Sequence, residues 1–424
     1  MTESSKLYAR RGGEELSTED VLVHLANLLR LENVGVFLGA GASKGAGGKT
    51  MKDVWLAFLR SNEAKSKQLV DNKYVSEEQS DPTKFDGEGS VAVPNVEELL
   101  DKLEIARQHL KHQADKPNSL KDVEGIIKSL LQEVIRAALL DESGWLNPGD
   151  ESVDLGDHRK LLQRLVGARQ AAQPSPWVFT TNYDLAVEWA AESLPIHVHS
   201  GFSGIHNRIF SPQSFDLGLR NTTALGEARF GCNDCYLVKL HGSLTWRQTG
   251  EADYRELAAT EAWNHLSQFL EDESELDDSV MVFPRAAKYT QTVGYLSGEL
   301  FRRFSDFLAK PQAALLIMGY SFSDEHLNRL LKSALLNPTL QLVVFLPELI
   351  DGSKAEMEKL KPSLRRLIEL ESPRITFVGG GSAAWFDNAV RLLPDPMLYD
   401  LSEKNMRERL FPKAPAGEEG DDAE

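Results

Sequence analysis

The sequence is poor in cysteine, in long apolar runs and in positive charge, and each shortage excludes something. Cysteine occurs twice, as Cys232 and Cys235. That rules out a disulfide framework and leads us to expect a reducing, cytoplasmic setting. No apolar run approaches the roughly 18 residues that a membrane-spanning helix needs, so no membrane partner is expected. The opening residues, Met1 to Lys6, lack the apolar core of a secretory signal. Lys and Arg number 47 against 64 Asp and Glu, a formal net charge of −17. Coating nucleic acid requires the opposite balance, so no direct nucleic-acid binding is expected. Charged residues still make up only 26% of the chain, a proportion ordinary for folded proteins, and a sizeable core can form.

What is present is an alternation. Ser17-Thr18-Glu19-Asp20 reads as a helix start, with a capping hydroxyl and acids in the first turn. The short apolar run from Val34 to Leu38 then reads as a buried strand entering a glycine turn. Further apolar runs follow at Trp177–Phe179, Tyr236–Leu240, Val280–Phe283, Ala313–Met318, Leu340–Leu346 and Ile375–Val378. Helical patterns lie between them at Asp184–Ser193, Tyr295–Ala309, Asp324–Leu336 and Glu356–Leu370. Buried strands alternating with helices predict an α/β fold with a mostly parallel sheet. Residues 61–150 break the pattern: polar residues dominate, and Val96–Leu110 and Leu120–Leu140 read as amphipathic helices. This stretch is expected to be a helical insertion into one catalytic domain over 17–400. Residues 1–16 are expected to be loose, and the acidic end, 412–424, disordered.

Chemistry gathers where the apolar runs end. Gly39-Ala40-Gly41-Ala42-Ser43 follows the first strand, and glycines there let backbone approach a phosphate closely. A tight strand–helix turn explains the same residues. Gly48-Lys49-Thr50 resembles the end of a triphosphate-binding loop, but that motif needs glycine at position 43, which is Ser43. Thr180-Thr181-Asn182-Tyr183-Asp184 ends a second strand, with helix capping as its plain reading. His241-Gly242-Ser243 ends a third, and a histidine at a shared sheet edge is a candidate general base. Gly319-Tyr320-Ser321-Phe322-Ser323-Asp324 ends a fourth.

In that order and spacing, the four strand ends resemble the sirtuin family, the silent-information-regulator-like NAD-binding fold. The resemblance implies a Rossmann-like, doubly wound sheet across about 17–395, the insertion excepted. It implies that Gly39, Ala40, Gly41 and Ser43 cradle NAD, with Thr181 beside them and Gly319 and Ser321 near the adenosine half. Asn182 and Asp184 would face the nicotinamide ribose, and His241 would act as base. Protein-deacylating sirtuins carry two Cys-x-x-Cys pairs for zinc, whereas this chain has only Cys232 and Cys235. Tetrahedral structural zinc needs four ligands, so no metal is expected. His197, His199 and His206 read as packing or surface residues. The Asp-Phe-Arg segment of the deacylases is also missing after Ser43.

The pattern is similar to the bacterial antiphage-defence branch, whose sirtuin-like domains hydrolyse NAD. The implied reaction releases nicotinamide and leaves ADP-ribose. Asn182 would hold a water, His241 would take its proton, and Asp184 would orient Asn182 or a neighbour. Members of this size imply a homo-oligomer controlled by a HerA-like hexameric ATPase, with an Argonaute as the alternative partner. A protein deacylase or ADP-ribosyltransferase, and a non-enzymatic NAD-sensing scaffold, are the competing expectations.

Overall fold

The computed structural model describes residues 6–85, 91–112, 117–146, 152–170, 173–219, 233–249, 253–271 and 293–396. In chain order its strands begin with β1 (Tyr8–Arg11), β2 (Glu14–Glu15), β3 (Asn33–Leu38), β4 (Trp177–Thr180) and β5 (His197–His199). They continue with β6 (Phe202–Ser203), β7 (Arg208–Phe210), β8 (Asp234–Lys239), β9 (Trp246–Gln248) and β10 (Tyr254–Glu256). The last are β11 (Ala313–Met318), β12 (Gln341–Phe345) and β13 (Ile375–Gly379). The helices begin with α1 (Thr18–Leu29), α2 (Met51–Ser61), α3 (Glu63–Asp71), α4 (Glu77–Ser80) and α5 (Val96–Lys111). Next come α6 (Pro117–Ala138), α7 (Glu142–Leu146), α8 (Gly156–Gly167), α9 (Ala186–Glu192) and α10 (Ala259–Leu270). The chain then adds α11 (Val293–Ala309), α12 (Glu325–Ala334), α13 (Lys354–Lys359), α14 (Pro362–Glu369) and α15 (Phe386–Leu392).

Among the described residues, nine strands form the main sheet in the order β2-β1-β13-β12-β11-β3-β4-β8-β5. From β13 across to β5 every pairing is parallel. Such a sheet must be covered on both faces, which is why β3, β4, β8 and β11 are buried at every residue. One face packs against Phe304 and Phe307 of α11, Leu327 of α12 and Leu364 of α14. The other packs against Leu25 of α1, Leu161 of α8, Ala186 of α9 and Val390 of α15. The fold is therefore α/β and Rossmann-like, as the alternation predicts. The chain winds from β3 through β4 to β8, then crosses back to the far side of β3 for β11, β12 and β13. That reversal opens a crevice at the carboxyl ends of β3 and β11, the place where open α/β sheets bind ligands.

Helices α3 to α7 fill most of the stretch between β3 and β4, and all of them but α4 share a third apolar cluster with α2 and α10. Trp55, Phe58, Leu103, Leu130 and Trp145 lie at its centre. The cluster also takes in Tyr183, Leu185 and Leu244, which belong to loops leaving β4 and β8. The helical stretch is thus seated on the carboxyl edge of the sheet.

Several expectations are corrected. Residues 8–15 are not loose: β1 pairs antiparallel with β13, and β2 with β1. Their polar composition suits a sheet edge, where charge discourages further pairing. The helix expected over Glu356–Leu370 is two, because Pro362 forces Lys361 into an extended conformation and starts α14 afresh. A second sheet, β6-β7-β10-β9, was not foreseen; its two- and three-residue strands carry too little periodicity. Val280–Phe283, Cys232 and the acidic end 412–424 lie outside the described residues.

Two turns meet backbone to backbone at the crevice. Gly39 N–H donates to Met318 O at 3.0 Å, and Gly41 N–H donates to Gly319 O at 3.0 Å. A Cβ on Gly39 would lie 2.5 Å from Gly319 O, and one on Gly319 (φ +65°) would lie 2.3 Å from Ala42 N. These glycines are required by turn packing, whatever else they bind. Gly39→Ala should therefore destabilise the fold by about 2–4 kcal/mol, because neither backbone can yield. Denaturant unfolding reads this directly, and a midpoint equal to that of the unaltered protein would show that the turns are not locked together.

Candidate active site

The carboxyl ends of β3, β4, β8 and β11 bring most of the expected residues to one edge. Asn182 follows β4 and is buried. Its side-chain amide donates to Gly39 O at 3.0 Å and to Ser43 Oγ at 2.9 Å. Its N–H is held by Thr180 Oγ1 at 3.0 Å. The amide nitrogen is thus spent on fastening β4 to the turn after β3, and Oδ1 has no partner among the described residues. Thr181 is half-buried alongside, with its N–H on Leu38 O at 3.2 Å. Ala40 is exposed on the same turn, and Ser43 is buried beneath it.

Asp184 Oδ1 accepts from Ala186 N–H at 3.0 Å, in the turn that leads into α9, and no hydrogen bond joins Asp184 to the Asn182 side chain among the described residues. Ser321 is exposed and pairs with Ser323 Oγ at 2.9 Å. Lys361 Nζ also reaches Ser323 Oγ. Thr50 caps α2 through a reciprocal bond pair with Asp53, so the Gly48-Lys49-Thr50 segment is a helix entrance.

His241 follows β8 and is buried between two carboxylates. Nδ1 lies 3.1 Å from Glu97 Oε1, and Nε2 lies 3.0 Å from Asp324 Oδ2. Burial alone would push the imidazole pKa down. The Glu97 charge and the hydrogen bonds to Asp324 and Glu97 overcome this and push it up to about 10. At neutral pH the ring is an imidazolium donating from both nitrogens. Burial would raise both carboxyls, but the imidazolium holds Glu97 and Asp324 below the usual carboxylate range. Asp324 is doubly used: its Oδ1 accepts from His326 N–H at 2.7 Å and Leu327 N–H at 3.1 Å, capping α12. Glu97 Oε1 also accepts from Tyr183 Oη–H at 3.1 Å. Burial and the adjoining Glu97 charge raise that phenol far above its ordinary pKa, so it stays a donor.

Lys239 supports the same loop from below. Its ammonium is buried, donates to Tyr183 O at 3.4 Å and to Asp184 O, and pairs with Glu188 Oε1 at 2.7 Å. Burial keeps the Glu188 carboxyl above its usual range even against the Lys239 charge.

Glu97, Tyr183, Lys239 and the carboxylate of Asp324 were not singled out from the sequence. Asp324 begins the helical pattern read over Asp324–Leu336, and one of its oxygens caps that helix. Glu97 lies in a first turn where acids serve the helix dipole, so nothing local marks it out. Cys235 is buried, with its thiol pushed up to about 12 by burial. His199 bonds Asp234 at 3.1 Å, while His197 and His206 are exposed. Among the described residues no group of three or more His, Cys, Asp or Glu is disposed to hold a metal ion. None of the described helices is long and apolar enough to cross a membrane.

Residues 176–361, from the residue before β4 to the residue before α14, match the SIR2-like domain family. SIR2-like domains use NAD, so the match supports sirtuin-like kinship and NAD-dependent chemistry. It takes in Asn182, Asp184, His241, Gly319 and Ser321, and leaves out Gly39–Ser43 and Glu97. No curated protein matches the chain.

Lys239→Met should destabilise the protein by about 3 kcal/mol, because Glu188 is left buried without its cation. Adding Glu188→Gln should recover part of that loss. Equal unfolding midpoints for the single and double variants would show that the pair is uncoupled.

Proposed function

We propose that this chain hydrolyses NAD to nicotinamide and ADP-ribose. The observation that carries the reading is a buried histidine and a buried asparagine at adjoining strand ends, within a SIR2-like stretch. Nicotinamide leaves NAD as a neutral group, so the bond from its ring nitrogen to the anomeric carbon breaks without an acid. The barrier lies in reaching an oxocarbenium-like ribose, which a dry polar cleft stabilises. Water adds to the anomeric carbon and its proton must go to a base. Oδ1 of Asn182 is free to hold that water or a ribose hydroxyl.

His241 is the candidate base, and its surroundings define when it can act. With carboxylates on both nitrogens it is already protonated. A ribose hydroxyl that takes the place of Asp324 at Nε2 removes one of the two charge-assisted hydrogen bonds holding the proton. The cationic nicotinamide ring lowers the ring's pKa further. Substrate binding thus converts a resting imidazolium into an available base. The glycine turns after β3 and β11 fit a dinucleotide, because their small residues leave backbone near the crevice.

The same resemblance supports a biological role as an antiphage effector that depletes NAD. It also supports assembly as a homo-oligomer under a HerA-like ATPase, with an Argonaute as the other candidate partner. Light scattering of the purified chain, alone and with each partner, tests this. A monomer with full, partner-independent turnover would defeat the assembly reading.

Asn182→Ala should abolish nicotinamide release, and should cost about 1–3 kcal/mol of stability through two lost hydrogen bonds. Near-normal turnover by the folded variant would remove Asn182 from the chemistry.

For the unaltered protein, kcat/KM reports the free state of His241. It should rise steadily from about pH 6 to about pH 9, since the base form grows as pH approaches the raised pKa of about 10. A flat profile over that range would exclude His241 as base.

A further inference from the structure

We infer that Glu97, carried by the helical stretch outside the SIR2-like match, is a positioning residue that fixes His241 for the reaction; the inference rests on the hydrolase reading above. The geometry is specific. Glu97 occupies the first turn of α5, and Asn95 Oδ1 holds its N–H at 3.1 Å and that of Glu98 at 3.4 Å. Val96, Leu99 and Leu103 bury the adjoining face of α5 in the third apolar cluster. The backbone beneath Glu97 is therefore fixed from two sides.

One carboxylate oxygen then receives both Tyr183 Oη–H and His241 Nδ1–H, each at 3.1 Å. A hydrogen bond at Nδ1 selects the tautomer that remains when the ring gives up one proton. Nδ1–H stays on Glu97, and Nε2 becomes the free base position. Nε2 is the nitrogen that faces Asp324 on the β11–α12 loop. Without Glu97, a deprotonated ring could keep its hydrogen at Nε2 against Asp324 and offer its lone pair at Nδ1, on the side of α5. A carboxylate behind a histidine is a familiar way to hold a base in one tautomer and stabilise its protonated form.

The groups facing His241 are Glu97 from α5 and Asp324 from the β11–α12 loop; Tyr183 of the β4–α9 loop bonds Glu97, and Tyr320 feels the charges of both carboxylates. Asp101 lies one turn further along α5 and bears on Tyr183. Glu97 and Asp324 are the carboxylates in direct contact with the ring. A Glu97→Gln exchange removes one of those charges while keeping the shape.

The test combines ring titration with turnover. His241 is followed by NMR of its ring protons, assigned by their loss in His241→Asn. In Glu97→Gln its midpoint should fall by about one pH unit or more. The rising limb of kcat/KM should move toward neutral pH, and the plateau should drop at least about tenfold. Glu97→Asp keeps the charge, so it should retain a high midpoint and recover part of the plateau. An anchor that only docked α5 would move neither the midpoint nor the limb, and that result would overturn the inference. If Glu97→Gln fails to fold, Glu97→Asp decides: a high midpoint with a lowered plateau supports the inference, and a plateau equal to that of the unaltered protein overturns it, because the shorter side chain cannot hold the ring in the same place. If the midpoint shifts but the unaltered protein releases no nicotinamide, the hydrolase reading fails while the Glu97–His241 coupling stands.

Discussion

The molecule depends on a closed ring of contacts around the carboxyl edge of its sheet. Gly319 packs on Gly41 and Gly39, Gly39 receives Asn182, and Tyr183 next in sequence donates to Glu97. Glu97 receives His241, His241 reaches Asp324, and Asp324 lies five residues beyond Gly319 on the same loop. Each link is a hydrogen bond, an ion pair, a short run of main chain or a backbone contact with no room for a side chain. The ring joins four strand ends with one helix of the intervening stretch. Apart from Asn182 Oδ1, its polar side-chain groups named here are answered by one another or by backbone.

The ring also separates bonds that hold the fold from groups left open in the proposed reaction. The bonds of Asn182 Nδ2, of Asp184 Oδ1 and between the glycine turns stay within the protein. In the proposed reaction, Asn182 Oδ1 and the Nε2 side of His241 remain for chemistry. The imidazolium is the costliest member, a buried charge tolerated because carboxylates meet it on both sides.

Much of this was legible in the residues. Four apolar runs ending in polar groups located β3, β4, β8 and β11 and the edge at which Asn182 and His241 meet, because burial on both faces leaves continuous apolar text. What escaped was long-range. Glu97 and His241 are 144 residues apart, and His241 and Asp324 are 83 apart. Neither carboxylate differs locally from an ordinary helix-capping acid. Lys239 was hidden inside an apolar strand, where a single charge is easily taken for an edge residue. The N-terminal hairpin escaped for the opposite reason: β1 and β2 are polar, and their partner β13 lies at the far end of the described chain.

That last pairing joins segments far apart in sequence: Tyr8–Arg11 pairs with Thr376–Gly379. Closing so long a loop is slow, so the hairpin of β1 and β2 joins the sheet only once β13 is in place. Until then the outer edge of β13 offers unpaired backbone to any neighbouring chain. The polar hairpin that covers it is thus also the protein's guard against edge-to-edge association.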